Sequence, residues 1–289
     1  MSLSVSTGRA VDLRVRPVDE VLDRVERAFQ VRLDADTVVR KRRSVGARTD
    51  RHTWVRVERR SLDRIGDQGW NGTECAARLE NIAQPAWQAC VVWRDPDEPA
   101  MWRADETDLL PGMPVGTAVL GEAPQLTDAW WQDLNASLDA LAAHHTMRVA
   151  TPDTVTITQA LVTESIRTAF SDDFDTTVEQ WAPAHADLNW ANMTAPAFCL
   201  FDWEDWGTAP RGLDSATLWA SSLVVPTLAD RVRHERRRDF ESRDGKLMTL
   251  FACSRILGQY ADPDDPRRTP AGVEAGRIVA HLQAPSSCR

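Results

Sequence analysis

One segment, His185-Ala-Asp-Leu-Asn-Trp-Ala-Asn192 with its sequel Phe201-Asp-Trp-Glu204, carries most of the information about this chain. It sets Asp187 five residues before Asn192, and Asp202 follows ten residues after that asparagine. Phosphoryl transfer to a hydroxyl needs a carboxylate that orients the hydroxyl and accepts its proton, and it needs ligands for Mg²⁺. Mg²⁺ prefers hard oxygen donors, which Asn and Asp supply. The pattern therefore predicts phosphoryl-transfer chemistry.

The residues between the two motifs predict a short hairpin. Residues 193–201 run through Thr-Ala-Pro and then Ala-Phe-Cys-Leu-Phe, which is a turn followed by a β-like run. A hairpin at this point would return Asp202 to the side of Asn192. Protein kinases follow the same logic, with a His-Arg-Asp-x4-Asn loop and a later Asp-Phe-Gly.

The segment resembles the aminoglycoside phosphotransferase and choline kinase-like family, in which a histidine-x-aspartate loop precedes an asparagine and an Ile-Asp-Trp/Phe-Glu strand. The resemblance is clear over residues 181–219 and weaker over the rest of the chain. It implies an α+β, bilobal, protein kinase-like fold. A small β-rich N-terminal lobe would cover residues 1–105 and bind the nucleotide. A larger helical lobe, residues 106–289, would carry the catalytic loop and the substrate pocket.

The resemblance also implies a role for each matching residue. Asp187 would be the catalytic base, and His185 would brace its loop. Asn192 and Asp202 would be the Mg²⁺ ligands, with ATP or GTP as the phosphoryl donor. The later run Pro210-Arg-Gly-Leu-Asp214 resembles a family segment whose aspartate helps to hold the catalytic loop. Apart from the resemblance, Glu204 and Asp205 add negative charge beside Asp202, and Glu204 could contact a second metal or a cationic substrate or else support the loop. Trp190 could stack on a substrate, although packing in the core is the favoured interpretation.

The cation for the nucleotide phosphates is less obvious, because Lys occurs only at positions 41 and 246. The family uses a strand lysine that a helix glutamate holds in place. Arg56, in the middle of a predicted strand, is the best replacement for the lysine, and it can bind two phosphate oxygens at once. Glu74 matches the helix glutamate, with Glu80 as the fallback. In the alternative interpretation, Arg56 is a surface strand residue and Glu74 only complements its helix dipole.

Two further nucleotide-binding segments are expected in the N-terminal half. Residues 44–50 could form the loop over the phosphates, where Gly46 would allow close backbone approach and Arg48 or Thr49 would lie nearby. An ordinary surface turn is the alternative there. The basic run 40–43 could add to anion binding, although charge runs usually face solvent. The hinge that meets the nucleotide base is expected within residues 102–110.

Composition narrows the class of protein further. A formal net charge of −9 argues against a broad surface for nucleic acid or an anionic membrane, and it is compatible with a cationic substrate. The five cysteines lack metal-site or disulfide spacing. The N-terminal segment lacks a signal peptide's apolar core, and no apolar run reaches membrane-span length. We expect a cytoplasmic protein, a monomer or a homodimer, with no nucleic-acid or membrane partner.

Periodicity and capping residues predict the elements around these motifs. Strands are expected at residues 53–58 and 88–93. Amphipathic helices are expected at five places, namely residues 18–28, 72–83, 127–144, 158–170 and 271–283.

Together these features predict an ATP- and Mg²⁺-dependent O-phosphotransferase acting on a hydroxyl of a small molecule. An aminoglycoside-like antibiotic, an amino alcohol and a sugar all stay open as the substrate. The alternative is a catalytically inactive kinase-like protein that binds a nucleotide or another ligand. A third class, a metal-dependent hydrolase built on His185, is less well supported, because the other histidines do not form a ligand set around it.

Overall fold

The computed structural model describes four ranges of the chain, residues 12–66, 68–170, 174–259 and 261–284, with the backbone alone described at Asp153. The N-terminal segment that lacks a signal-peptide core lies mostly outside these ranges, as does Cys288. The chain has an α+β fold. Within the described ranges, no helix combines the length and the apolarity needed for a transmembrane segment.

The chain forms two compact units, and each takes up two stretches of sequence. Unit 1 comprises Met1–Ala77 and Pro85–Leu109, and unit 2 comprises Arg78–Gln84 and Leu110–Arg289. The seven residues from Arg78 to Gln84 therefore interrupt unit 1 and belong to unit 2.

Unit 1 is built on a five-stranded antiparallel sheet with the spatial order β1-β2-β3-β5-β4. Its strands, which are rich in β-branched and aromatic residues, are β1 Val39–Arg40, β2 Ser44–Arg48, β3 Thr53–Ser61, β4 Trp87–Arg94 and β5 Ala100–Asp108. The strands predicted from the sequence match the first six residues of β3 and the central part of β4.

One face of this sheet is covered by helix α1, Asp19–Phe29. Val55 and Val57 of β3 are buried there together with Val25 of the helix and Trp102 of β5. Because side chains alternate along a strand, Arg56 and the other even-numbered residues of β3 point to the opposite face. That opposite face carries the charged groups of the sheet.

One expectation for unit 1 is wrong, and another is met only at the end of its range. Residues 44–48 form strand β2 rather than a phosphate loop, and Gly46 is paired with Arg56 inside the sheet. The indole of Trp54 lies over Gly46, so the glycine accommodates an aromatic ring rather than a ligand. The expected hinge, residues 102–110, lies mostly inside β5, whose ladder with β3 continues to Asp108. Only the last two residues of the range, Leu109 and Leu110, lie beyond the strand, and there unit 1 ends and unit 2 continues.

We expect Gly46→Ala to destabilise unit 1, because a Cβ atom there would lie 2.5 Å from the Trp54 ring. Overpacking of this kind costs about 1–3 kcal/mol of unfolding free energy. Urea unfolding checks the value. Gly276→Ala in an exposed helix, where nothing lies within 4 Å of the new methyl group, is the control and should be neutral or stabilising. Equal unfolding midpoints for both variants would contradict the role assigned to Gly46.

Helix α2 is shorter than expected, since it covers Gly72–Ala76 and not residues 72–83. The following residues use their backbone groups in contacts within unit 2. Ala83 donates its N–H to Ser137 Oγ at 3.2 Å and accepts a bond from the Leu200 N–H at 2.7 Å. The backbone of Glu80 contacts His144 Nε2 at 3.1 Å. These tertiary bonds replace the helical ones that periodicity favoured.

Unit 2 is mainly helical, and side-chain caps set the starts of several helices. Thr127 Oγ1 accepts the Trp130 N–H, Thr158 Oγ1 accepts the Leu161 N–H, and Ser242 Oγ accepts the Gly245 N–H. The helices are α3 Asp128–Ala143, α4 Gln159–Ala169, α5 Leu213–Ser222, α6 Pro226–Glu235, α7 Arg237–Glu241, α8 Arg243–Leu257 and α9 Arg268–Gln283.

Two short antiparallel ladders complete unit 2 and frame the motif region. They are formed by β6 Met113–Pro114 with β8 Thr194–Ala195, and by β7 Trp181–Ala184 with β9 Gly207–Pro210. The two motifs therefore lie between the strands of the second ladder, and β8 belongs to the hairpin that separates them.

Candidate active site

The hairpin predicted between the two motifs is present. Met193 and Leu200 form an antiparallel bridge, and the Phe201 N–H donates to the Asn192 carbonyl oxygen at 3.0 Å. Since Phe201 immediately precedes Asp202, these bonds bring the second motif back beside the first. Asp202 itself has a left-handed backbone, with φ +71°.

Asp187 is held by two asparagine side chains. Asn192 Nδ2 donates to Asp187 Oδ2 at 2.9 Å and to its carbonyl oxygen at 2.9 Å. Asn189 Nδ2 donates to Asp187 Oδ1 at 3.0 Å. Each carboxylate oxygen thus receives an amide N–H, which fixes the orientation of the group. The carboxylate is only partly buried. It is an oriented, accessible proton acceptor.

The donor set at Asn192 and Asp202 fits a hard divalent cation. Both bonds from the Asn192 amide to Asp187 come from its nitrogen, so the amide oxygen is turned away from that residue. An amide oxygen and a carboxylate are the ligand types that Mg²⁺ accepts, with phosphates and water completing the shell. Within the described ranges, no cluster of three His, Cys, Asp or Glu side chains could hold a metal ion alone. A metal here would take its remaining ligands from water or from bound phosphate groups.

The backbone of the loop that carries Asp187 is held in place by Asp214, at the start of α5. Asp214 accepts the N–H of His185 at 2.7 Å and the N–H of Ala186 at 2.9 Å. Ala186 has a φ of +69°, a strained left-handed conformation that these bonds maintain. Burial raises the pKa of Asp214, and the two N–H donors oppose that shift. A residue of the Pro-Arg-Gly-Leu-Asp segment therefore sets the shape of the Asp187 loop.

His185 is fully buried and supports the loop from inside. Its Nε2 donates to the Phe201 carbonyl oxygen at 3.0 Å, which links the first motif to the second. Burial lowers the pKa of the imidazole, so the ring is neutral. The ring lies against Trp203, with centroids 4.8 Å apart. Because Nε2 is occupied by a carbonyl group, His185 is poorly suited to be a metal ligand, and this argues against the hydrolase alternative.

The other motif residues divide between core and surface. Trp190 is fully buried, donates to Ser222 Oγ at 3.0 Å and stacks on Trp130, so its position allows loop support and no contact with a substrate. Asp205 is buried, and its carbonyl oxygen accepts the Thr151 N–H at 3.0 Å. Glu204, which immediately precedes Asp205 in the sequence, is partly exposed.

In unit 1, the charged face of the sheet pairs its groups differently from the expectation. Glu74 contacts Arg103 of β5 at 3.2 Å, whereas Arg56 forms its ion pair with Glu58 of its own strand. The expected Arg56–Glu74 pair is therefore not the one that forms. The Arg103 guanidinium also bonds both carboxylate oxygens of Asp105 at 2.6 Å. Burial alone would lower the pKa of Arg103, but the bonds to Asp105 outweigh it and raise the pKa.

Two of the residues expected to bind the nucleotide do not lie in a loop. Two residues that were not expected at the site, one beside Asp187 and one beside Glu74, make contacts there. Arg48 is exposed at the end of β2, and Gly46 is buried under Trp54. The sequence interpretation missed Asn189, although an asparagine two residues after an aspartate is a common local partner for it. It also missed Arg103, which the two-residue periodicity of β5 puts on the same face as Asp105.

Solved phosphotransferase structures share this arrangement of elements. Amicoumacin kinase, in complex with AMP-PNP and Ca²⁺, matches with a TM-score of 0.55 at 11% identity, over 93% of this chain and 95% of that chain. Aminoglycoside phosphotransferase APH(4)-Ia matches with 0.57 at 12% identity, over 91% and 99%. A thermostable mutant of that enzyme, with ADP and hygromycin B, matches with 0.58 at 14% identity, over 93% and 100%. This chain has the fold of these phosphotransferases.

The predicted protein kinase-like fold is thereby confirmed. Sequence comparison finds no family model and no curated protein that matches the chain. At identities of 11% to 14% the likeness concerns the fold, and the nucleotides, Ca²⁺ and hygromycin B are ligands of the other proteins.

Proposed function

We propose that this chain is a nucleotide- and Mg²⁺-dependent O-phosphotransferase whose acceptor is a hydroxyl group of a small molecule. Asp187 orients the acceptor hydroxyl and takes up its proton. The donor is ATP or GTP. The acceptor is an aminoglycoside-like antibiotic, an amino alcohol or a sugar, and the protein acts in the cytoplasm as a monomer or a homodimer.

The observation that carries this proposal is the clamp on Asp187. A purely structural loop has no need for an oriented carboxylate that accepts one amide N–H on each oxygen and is still partly exposed. Phosphoryl transfer depends mainly on positioning and charge neutralisation, and the clamp provides the positioning. Likeness in fold to kinases of small molecules agrees with this chemistry.

Asn192 and Asp202 would hold Mg²⁺, and the metal would neutralise charge on the nucleotide phosphates. The rest of the chemistry belongs to residues of the chain. His185 and Asp214 keep the Asp187 loop in its strained shape, while Asn189 and Asn192 keep the carboxylate aimed.

The proposal is tested by measuring ADP release from Mg-ATP across a panel of hydroxylated antibiotics, amino alcohols and sugars, with product mass as the second readout. We expect one class to give stoichiometric ADP and a product heavier by one phosphoryl group. Tight AMP-PNP binding with no turnover on any acceptor would favour the inactive kinase-like alternative. Phosphate release from a phosphoester without nucleotide would favour a hydrolase.

Arg56 is proposed as the cation for the nucleotide phosphates, and it faces away from the α1 side of the sheet. We expect Arg56→Ala to raise the Kd of AMP-PNP at least about tenfold, because bonds to charged groups contribute about 1.5–3 kcal/mol. Adenosine, which lacks phosphates, should bind equally to both proteins in calorimetric titrations.

Arg27→Ala is the matched control, since Arg27 is exposed on α1, the helix that covers the other face of the sheet. It should leave both Kd values unchanged. An AMP-PNP Kd within twofold of wild type for Arg56→Ala would remove Arg56 from the proposal and turn attention to Arg103.

A further inference from the structure

Unit 2 contains a cavity that the proposed reaction does not use. Its volume is about 950 Å³, which is enough for a small organic molecule. Its walls come from α3, β7, the start of α5 and the turn between α6 and α7. Asp187, Asn192 and Asp202 are not among the described residues that line it. The cavity is thus separate from the candidate active site, although Asp214 adjoins both.

One wall of the cavity is fixed by an ion network in which Arg236 and Asp239 are largely buried and Asp139 is exposed. Arg236, whose side chain is 11% exposed, contacts Asp139 at 2.9 Å and Asp239 at 2.9 Å. Ser215 Oγ donates to Asp239 at 2.6 Å. Such mutually bonded groups hold their rotamers without a ligand, so this wall is preorganised.

Most carboxylates of this wall form ion pairs or hydrogen bonds within the protein. Asp139 and Asp239 are bound by Arg236, and Asp214 is bound by two backbone N–H groups. Glu235 accepts an asparagine amide at 2.7 Å. These carboxylates contribute shape rather than available negative charge.

Two basic side chains of the cavity lining have no bonding partner among the described residues. His234 and Arg238 line the cavity and are exposed. Their side chains make no hydrogen bond or ion pair within the part of the chain that the structure describes. Arg211 donates to Gln180 Oε1 at 2.8 Å and approaches Asp239 at 4.0 Å, and Arg237 is paired with Glu241. Glu179 is the single acidic lining residue whose carboxylate has no bond among the described residues. Arg238 is therefore the lining arginine to which the described part of the chain gives no carboxylate partner, whereas Arg211, Arg236 and Arg237 each have one.

The remaining surface is apolar and suits a flat ring. Small or rigid side chains of Ala142, Ala143 and Pro183 leave the space open. Trp181 at the start of β7 is 37% exposed and lines the same cavity. An indole with a free face stacks well on an aromatic ligand.

We propose that this cavity is a binding site for a small aromatic oxyanion, with Arg238 and His234 contacting the oxyanion and Trp181 stacking on the ring. Since Asp214 adjoins the cavity and holds the backbone of His185 and Ala186, an occupant would lie next to the support of the Asp187 loop. This inference does not depend on the proposed reaction.

Calorimetric titration of the full chain with phenyl phosphate tests the site. We expect phenol and inorganic phosphate, which each carry half of the ligand chemistry, to bind at least about tenfold more weakly. Arg238→Ala should raise the phenyl phosphate Kd about tenfold, and Trp181→Ala about fivefold. Arg255→Ala, an exposed arginine of α8 outside the cavity, should change nothing.

Asp187→Asn separates this site from the candidate active site and should leave the phenyl phosphate Kd unchanged. Hydrogen exchange should slow in peptides covering residues 179–184 and 234–239 when phenyl phosphate is added. Absence of binding at millimolar concentration, an equal loss for Arg255→Ala and Arg238→Ala, or protection confined to other peptides would each overturn the inference.

Discussion

Asp187→Asn is expected to reduce kcat by about 10²–10⁴, because the amide cannot accept the proton of the acceptor hydroxyl. The side chain keeps its shape and one of its two clamp bonds, so we expect the loop to keep its fold and the Kd of AMP-PNP to stay within about threefold of wild type, less than 1 kcal/mol. A coupled assay for ADP release and calorimetric titration of AMP-PNP measure the two quantities on the same protein.

Asp133→Asn is the matched control for that substitution. Asp133 is exposed on α3 and lies outside the motif region, so its loss of charge should leave kcat unchanged. Wild-type turnover in Asp187→Asn would exclude Asp187 as the base. Loss of nucleotide binding along with turnover would instead indicate a collapsed loop, which the unfolding midpoint of the variant would reveal.

Asp214→Ala should combine a large loss of stability with loss of turnover. It removes the acceptor for two backbone N–H groups, and each buried donor left without a partner costs about 1–3 kcal/mol. We therefore expect the free energy of unfolding to fall by about 2–5 kcal/mol. Turnover should fall too, because Ala186 is no longer held in its left-handed conformation next to Asp187.

Asp230→Ala, at an exposed position of α6, provides the comparison and should change neither stability nor turnover. Urea unfolding and the ADP-release assay give both values. If Asp214→Ala kept wild-type stability, the two N–H groups would have to find other partners, and Asp214 would not be what holds the loop in shape.

The local parts of the site follow directly from the sequence. Asp187, Asn189 and Asn192 lie within six residues, so the chain itself keeps them close and their residue types suffice to predict mutual hydrogen bonds. The same holds for α3 and α4, whose threonine caps and apolar periodicity were sufficient to place them.

The contacts between residues that are far apart in the sequence could not be predicted from it. The partner of Glu74 is Arg103, which is 29 residues away, and the two meet only because α2 packs against the sheet beside β4, the neighbour of β5. Helix α2 ends early because tertiary bonds of residues 78–84 outcompete helical ones. Gly46 resembled a loop glycine, since nothing in one sequence shows that a tryptophan will cover it.

The segment Arg78–Gln84 has a consequence for how the chain must form during translation. Its anchors, Ser137 Oγ and the Leu200 N–H, are synthesised about 55 and 117 residues after it. The early part of the polypeptide therefore cannot complete its native structure as it leaves the ribosome, even though its own sheet is already encoded. Completion of this segment of unit 2 must wait for the hairpin that also brings Asp202 beside Asn192, so an early part of the chain is finished only after the motif region has been made.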